Sequence, residues 1–186
     1  MALSDLRETC EEGNETADLR TTGHNARTAA RAGDPARPRK LLRSLLLPGQ
    51  KEVHFHNEKN DRRKIVLSRL VVSGALVHVY QRTCATGEER ARQECLVAVV
   101  VDLTALGVAR MVLDTRRERD RHDKRTIRAV LGKEAKEPVV HEHVVSGQEQ
   151  MLWIADVVAW CYGAGGGWRR RVTPLVARVV DLDTWS

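Results

Sequence analysis

The chain has 186 residues, enough for one domain with a real core and too few for a comfortable second one. Its 31 Lys and Arg against 25 Asp and Glu leave a formal charge of +6, compatible with a phosphate-bearing partner but too modest to argue for one alone. Cys10, Cys84, Cys95 and Cys161 form no CxxC pair, which argues against disulfide-dense and zinc-ribbon classes.

The N-terminal stretch "MALSDLRETCEEGNETADLR" is polar throughout and holds no signal-peptide core. No run approaches the roughly 18–20 apolar residues that span a bilayer, so a cytoplasmic protein without a membrane partner is expected. The first 52 residues contain no Val, Ile, Phe, Tyr or Trp, and all 23 valines lie at or after Val53. Strands need β-branched and aromatic residues to pack a pleated face. Residues 1–36 therefore read as a disordered or atypical leader, and 37–186 as the folded domain. Within "PRKLLRSLLLPGQ", Leu41, Leu42, Leu45 and Leu46 stand at helical spacing, with Pro48-Gly49 as a stop.

From residue 53 the elements alternate. "VHFH" reads as a short strand, and "EKNDRRKIVLSRLVVSG" as a helix with Ile65, Leu67, Leu70 and Val71 apolar and Gly74 near its close. "ALVHVYQ" alternates like a strand. "TGEERARQECLVAVVVDLTALG" reads as a helix ending at Gly107, although its valines keep a strand open. "VARMVLDT" is a strand ending at Asp114, "RHDKRTIRAVLG" a polar helix stopped by Gly132, and "PVVHEHV" another strand. "SGQEQMLWIADVVAWCYG" is an apolar helix entered by a capping box, Ser146 with Glu149, and left through Gly163. "GAGGGWRRRV" reads as a flexible basic connector before the last short element in "PLVARVVDL". Such alternation argues for an α/β domain with helices covering a largely parallel sheet.

Asp156 poses the sharpest question, because it interrupts the apolar helix in its middle, where an unpartnered carboxylate is costly. In open α/β sheets functional residues gather at the carboxyl ends of strands, and Asp114 sits at one. The basic loop that follows, "TRRERDRHDKRT", carries Asp120 and Asp123. Carboxylates converging there repel unless a divalent cation neutralises them, which is the arrangement of metal-assisted phosphodiester hydrolysis. Arg116, Arg117, Arg119, Lys124 and Arg125 would hold substrate phosphates beside such a centre. The plainer alternatives are that Asp114 caps the next segment, that the Arg-rich loop is a solvated surface, and that Asp156 pairs with one of its arginines.

The stretch "LWIADVVAW" resembles the Leu-x-x-Ala-Asp-x-x-Ala-x helix that closes a group of bacterial ribonuclease-H-like proteins of uncharacterised function. "LLLPGQKEVHFHNEKNDRRK", "MVLDTRRERDRHDKRT" and "WRRRVTPLV" resemble segments of an actinobacterial branch of that group, so the likeness spans about residues 38–180. The resemblance implies a ribonuclease-H-like mixed sheet flanked by helices, with acids that bind Mg²⁺ or Mn²⁺. It makes Asp156 the acid of the terminal helix, Asp114 the acid after the fourth strand and Asp123 a further catalytic acid. It puts Glu58, in "HFHNE", among the metal ligands. The group's hallmark is a first strand bearing Asp-Glu-Ser or Asp-Glu-Thr, and "ETADLRTTGHNARTAA" carries neither that motif nor a strand pattern. The first strand is therefore expected to be missing or replaced, as in a mis-started or frame-shifted version, with activity lost if so.

Two alternatives stand beside this reading. The histidine pairs of "HFH" and "HEH", with His78, could hold zinc, since alternate strand residues share a face. A non-catalytic module of the same fold could bind nucleic acid or protein through "RRERDRHDKR". Among the tryptophans, Trp153 and Trp160 are seven apart and read as core, while Trp168 beside three arginines has a better claim than these two to an exposed contact, with packing still the favoured role.

Overall fold

The computed structural model describes residues 2–5, 24–31, 36–134 and 139–184. Six strands form one sheet: β1 (Ala2–Asp5), β2 (His24–Arg31), β3 (Leu76–Thr83), β4 (Arg110–Asp114), β5 (Val140–Val144) and β6 (Val176–Asp181). Their order across the sheet is β5-β4-β1-β2-β3-β6. Strand β2 runs antiparallel to both of its neighbours, β1 and β3, while β4, β5 and β6 each join parallel to a neighbour. The sheet is thus mixed, as the resemblance implies, and not the largely parallel one that alternation suggests.

The centre of the sheet corrects the expectation of a missing first strand, although the strand found there, ALSD, lacks the Asp-Glu-Ser or Asp-Glu-Thr motif. A first strand is present: β1 pairs with β2 on one edge, Leu3 opposite Ala29, and with β4 on the other, Leu3 opposite Leu113. Strand β2 in turn pairs with β3 over eight residues, from His24–Thr83 to Arg31–Leu76. Main-chain ladders hold these strands on both edges, so "HNARTAAR" needs no β-branched run to be a strand. The remainder of the expected leader, residues 1, 6–23 and 32–35, lies outside the described residues.

Helices cover both faces. α1 (Ala36–Ser44), α2 (Asn60–Val71), α5 (Gln150–Ala164) and α6 (Gly166–Val172) pack one cluster with Val77, Val79 and Val112. α3 (Glu88–Ala105) and α4 (Asp120–Glu134) pack the other with Met111, Leu113 and Val180. Alternation along β4 delivers both sets, with Val112 on one face and its two neighbours on the other. α5 is apolar almost all round because it is wrapped by α1, α6 and strands β1 and β2.

Several boundaries differ from the reading of the sequence. "VHFH" is no strand, because Phe55–Asn57 form a 3₁₀ turn that drives Phe55 into the core. In α2 the buried face is Val66, Leu67 and Leu70, which leaves Ile65 and Val71 outside. α4 runs through Gly132 to Glu134. "GAGGGWRRRV" is largely helix: Gly165, at φ 65°, ends α5 in place of Gly163, and α6 starts at once. The expected capping box does not form either. Glu149 is itself the N-cap of α5, accepting from the Met151 amide at 3.0 Å, while the Ser146 carbonyl accepts from Trp153 Nε1 at 2.8 Å. Trp168 is not a free contact residue, because it packs edge-on against Phe55 and Trp160 at ring distances of 6.5 and 5.6 Å.

Candidate functional site

At the carboxyl end of β4 lies a cleft of about 270 Å³. Its polar lining comes from Glu52, His54, Asp114, Thr115, Ser146 and Asp156, and Leu152 and Val145 supply apolar wall. Among the described residues, four separate pieces of chain meet there. β4 delivers Asp114 at its last residue, and the segment before α2 brings Glu52 and His54. The turn after β5 adds Ser146. α5 presents Leu152 and Asp156, one helical turn apart and hence on one face.

The electrostatics follow from that convergence. Burial first, and the neighbouring Asp114 carboxylate second, push the Asp156 carboxyl from an ordinary 3.8 up to about 6. His54 pulls it back and Glu52 adds to the rise. Asp156 is therefore neither a solvated surface acid nor one neutralised by an arginine of the basic loop. It belongs to a cleft where negative charge accumulates.

Asp114 and Asp156 are thus brought together, and Asp123 and Glu58 are not brought to them. Asp123 lies on the opposite side of the sheet, between α3 and α4, in a forked ion pair with Arg92, both side chains being 2% exposed. Buried there in its pair with a guanidinium, Asp123 is closed to solvent and does not line the cleft. Glu58 accepts instead from Gln50 Nε2 at 3.1 Å. Of the basic residues, Arg119 pairs with Glu89 at 3.0 Å, and Arg117 takes a left-handed φ of 45° in the turn after β4. Asp120 ties that turn down, accepting from Thr115 Oγ1 at 2.6 Å and from the Arg116 amide at 2.8 Å. Lys124 and Arg125 are exposed on α4.

The histidines do not gather for zinc. His54 stands 3.0 Å from Glu52 at the cleft, whereas His143 is buried near Asp120 and Asp123 at 3.9 and 3.7 Å. Among the described residues, no group of three or more His, Cys, Asp or Glu side chains is placed to hold a metal ion.

The sequence reading missed Glu52 and His54 as cleft residues, yet the signal was there. Glu52-Val53-His54-Phe55 alternates polar with apolar, and Val53 and Phe55 are both buried, so the two polar side chains must emerge together. Asp5 was also passed over. It closes β1, and the Leu3–Leu113 register sets its backbone at the same sheet edge as Asp114.

No protein-family model matches the chain, and no curated protein sequence matches it. A solved structure does. RNase HII of Archaeoglobus fulgidus, in its complex with PCNA, matches at a TM-score of 0.53 over 77% of this chain and 67% of its own. The fold is ribonuclease-H-like. At 16% identity the likeness speaks for the fold alone. Among the described residues, no helix is long and apolar enough to cross a membrane.

Proposed function

We propose that this chain is a divalent-metal-dependent, nuclease-like protein that acts on phosphodiesters in the cleft between β4 and α5. The observation that carries the reading is the convergence of Asp114 and Asp156 on one cleft, with the Asp156 carboxyl raised to about 6. Two carboxylates that burden each other are stabilised by a cation of oxygen-loving type. Mg²⁺ and Mn²⁺ fit this donor set, because Mg²⁺ keeps several waters and takes only one or two protein carboxylates, the substrate phosphate completing its shell. Such an ion, when bound, polarises the phosphate and sharpens a water nucleophile. Asp114 and Asp156 would hold it. Leu152 and Val145 limit water on one side. Arg116 and Arg117, in the turn directly after Asp114, would steer the nucleic-acid backbone towards the cleft, while Arg119, Lys124 and Arg125 would add positive charge farther off, on the α4 side.

The test is thermal unfolding with and without Mn²⁺, followed by nuclease assays on DNA, RNA and hybrid duplexes. An ion that binds only the native state raises the melting temperature by mass action. We expect a rise in the unaltered protein that vanishes in Asp156→Asn and in Asp114→Asn. Equal melts with and without Mn²⁺, together with intact binding of an oligonucleotide, would overturn the enzyme reading in favour of a non-catalytic module of the same fold.

A further inference from the structure

We propose that His54, steadied by Glu52, is the residue that donates a hydrogen bond to a substrate phosphate oxygen in the Asp114–Asp156 cleft. This rests on the phosphodiester reading above and extends it to a residue outside the carboxylate pair.

The first observation concerns charge. A phosphodiester entering this cleft meets Glu52, Asp114 and Asp156, all acidic. Among the described lining residues, His54 is the only side chain able to carry positive charge. It is also open to an incoming ligand: its side chain is 63% exposed, while that of Glu52 is 20% exposed. The Nε2 to Oε1 distance of 3.0 Å gives one ring nitrogen to Glu52 and leaves Nδ1 for a second partner. His54 would bridge Glu52 and a phosphate oxygen, with one ring nitrogen facing each.

The second observation concerns rigidity. The residues on either side, Val53 and Phe55, are 3% and 0% exposed, so the backbone that presents His54 is pinned from both sides. Arg63 pins it further, donating from Nε to the Phe55 carbonyl at 3.0 Å and from Nη2 to the His56 carbonyl at 2.6 Å. Phe55 meets the Trp160 ring edge-on at 5.2 Å, and Trp160 lies one turn beyond Asp156 on α5. The same guanidinium caps that ring at 4.3 Å. His54 and Asp156 are consequently fixed to one another through packed aromatic side chains, which is how a ligand-binding group is preorganised without flexible reach.

The experiment compares the unaltered protein with His54→Ala, His54→Gln and Glu52→Gln, using short fluorescein-labelled DNA and RNA oligonucleotides in Mn²⁺. Losing one charge-assisted hydrogen bond predicts about tenfold or more weaker binding and a higher KM for His54→Ala. The Mn²⁺-induced rise in melting temperature should stay as in the unaltered protein, because His54 is not assigned to the ion. His54→Gln keeps an N–H of similar reach and should recover part of the loss. Glu52→Gln should weaken binding less than His54→Ala. Unchanged binding and KM in His54→Ala, with the Mn²⁺ response intact, would overturn this inference and leave the nuclease reading standing. Loss of the Mn²⁺ response in His54→Ala would overturn it too, by placing His54 on the ion. No Mn²⁺ response in the unaltered protein would remove the nuclease reading and this inference with it.

Discussion

Asp156 shows how much a single side chain can be made to carry by its surroundings. Its native carboxyl holds its proton up to about pH 6, against an ordinary value of 3.8. Between those values the native state binds more protons than the unfolded chain, so stability falls as pH rises through that window, and above it the full penalty is in place. Asp156→Asn carries no such charge. It should be more stable than the unaltered protein by about 2 kcal/mol at neutral to alkaline pH, and close to equal near pH 4. Urea unfolding of both proteins across that range checks it, and a constant difference would count against a titrating Asp156. That Asp156 is unusual was legible in the sequence, since nothing else breaks that apolar run. Its partner Asp114 was legible as a strand end. Asp123 misled because the buried arginine that claims it, Arg92, lies 31 residues away on α3, and spacing alone does not reveal such a pair.

At the scale of elements, α5 is held at its start by one acid serving two purposes. Glu149 caps the helix and also forks onto Arg39 of α1, with bonds of 3.0 and 2.7 Å to Nε and Nη2. The capping-box pattern thus picked out the right acid and gave it the wrong task, because Ser146 is drawn into the 3₁₀ turn and toward Trp153. Glu149→Ala removes the cap and leaves Arg39 half-buried without its carboxylate. We expect a loss of about 2 kcal/mol, combining a cap of about 1 kcal/mol with a charge-assisted pair. Chemical denaturation reads that loss directly, and Glu149→Gln should lose less because an amide oxygen still caps. Helices α2 to α5 and strands β3 to β5 were readable from periodicity, and β6 only as a short element of unspecified type. α6 was not, since a run of glycines and arginines lacks an apolar face and is held by Val172 and Trp168 docking on their neighbours.

For the molecule as a whole, the decisive element is the one with the least sequence signal. Four residues cannot display a convincing alternation, and β2 is built from residues of poor strand propensity, so the central pair was invisible to composition. Yet β1 makes ladder bonds on both edges. Ser4→Pro would remove a donor and introduce a clash in a central strand, where proline is not tolerated. A loss of about 3 kcal/mol or more is expected, or about 6–12 °C in melting temperature. A melt unchanged by Ser4→Pro would argue that β1 adds little to the sheet.

The pairing of Leu3 with Leu113 has a further effect in time. During synthesis β1 and its antiparallel partner β2 emerge well before β4, which follows only after α1, α2, β3 and α3. Until then the second edge of β1 stays open, and closing it requires a contact between residues far apart in sequence. Such late, long-range closure slows folding and leaves a strand edge exposed to association with other chains. Yield of native protein should accordingly be limited by events on the nascent chain, before the cleft has any chemistry to perform.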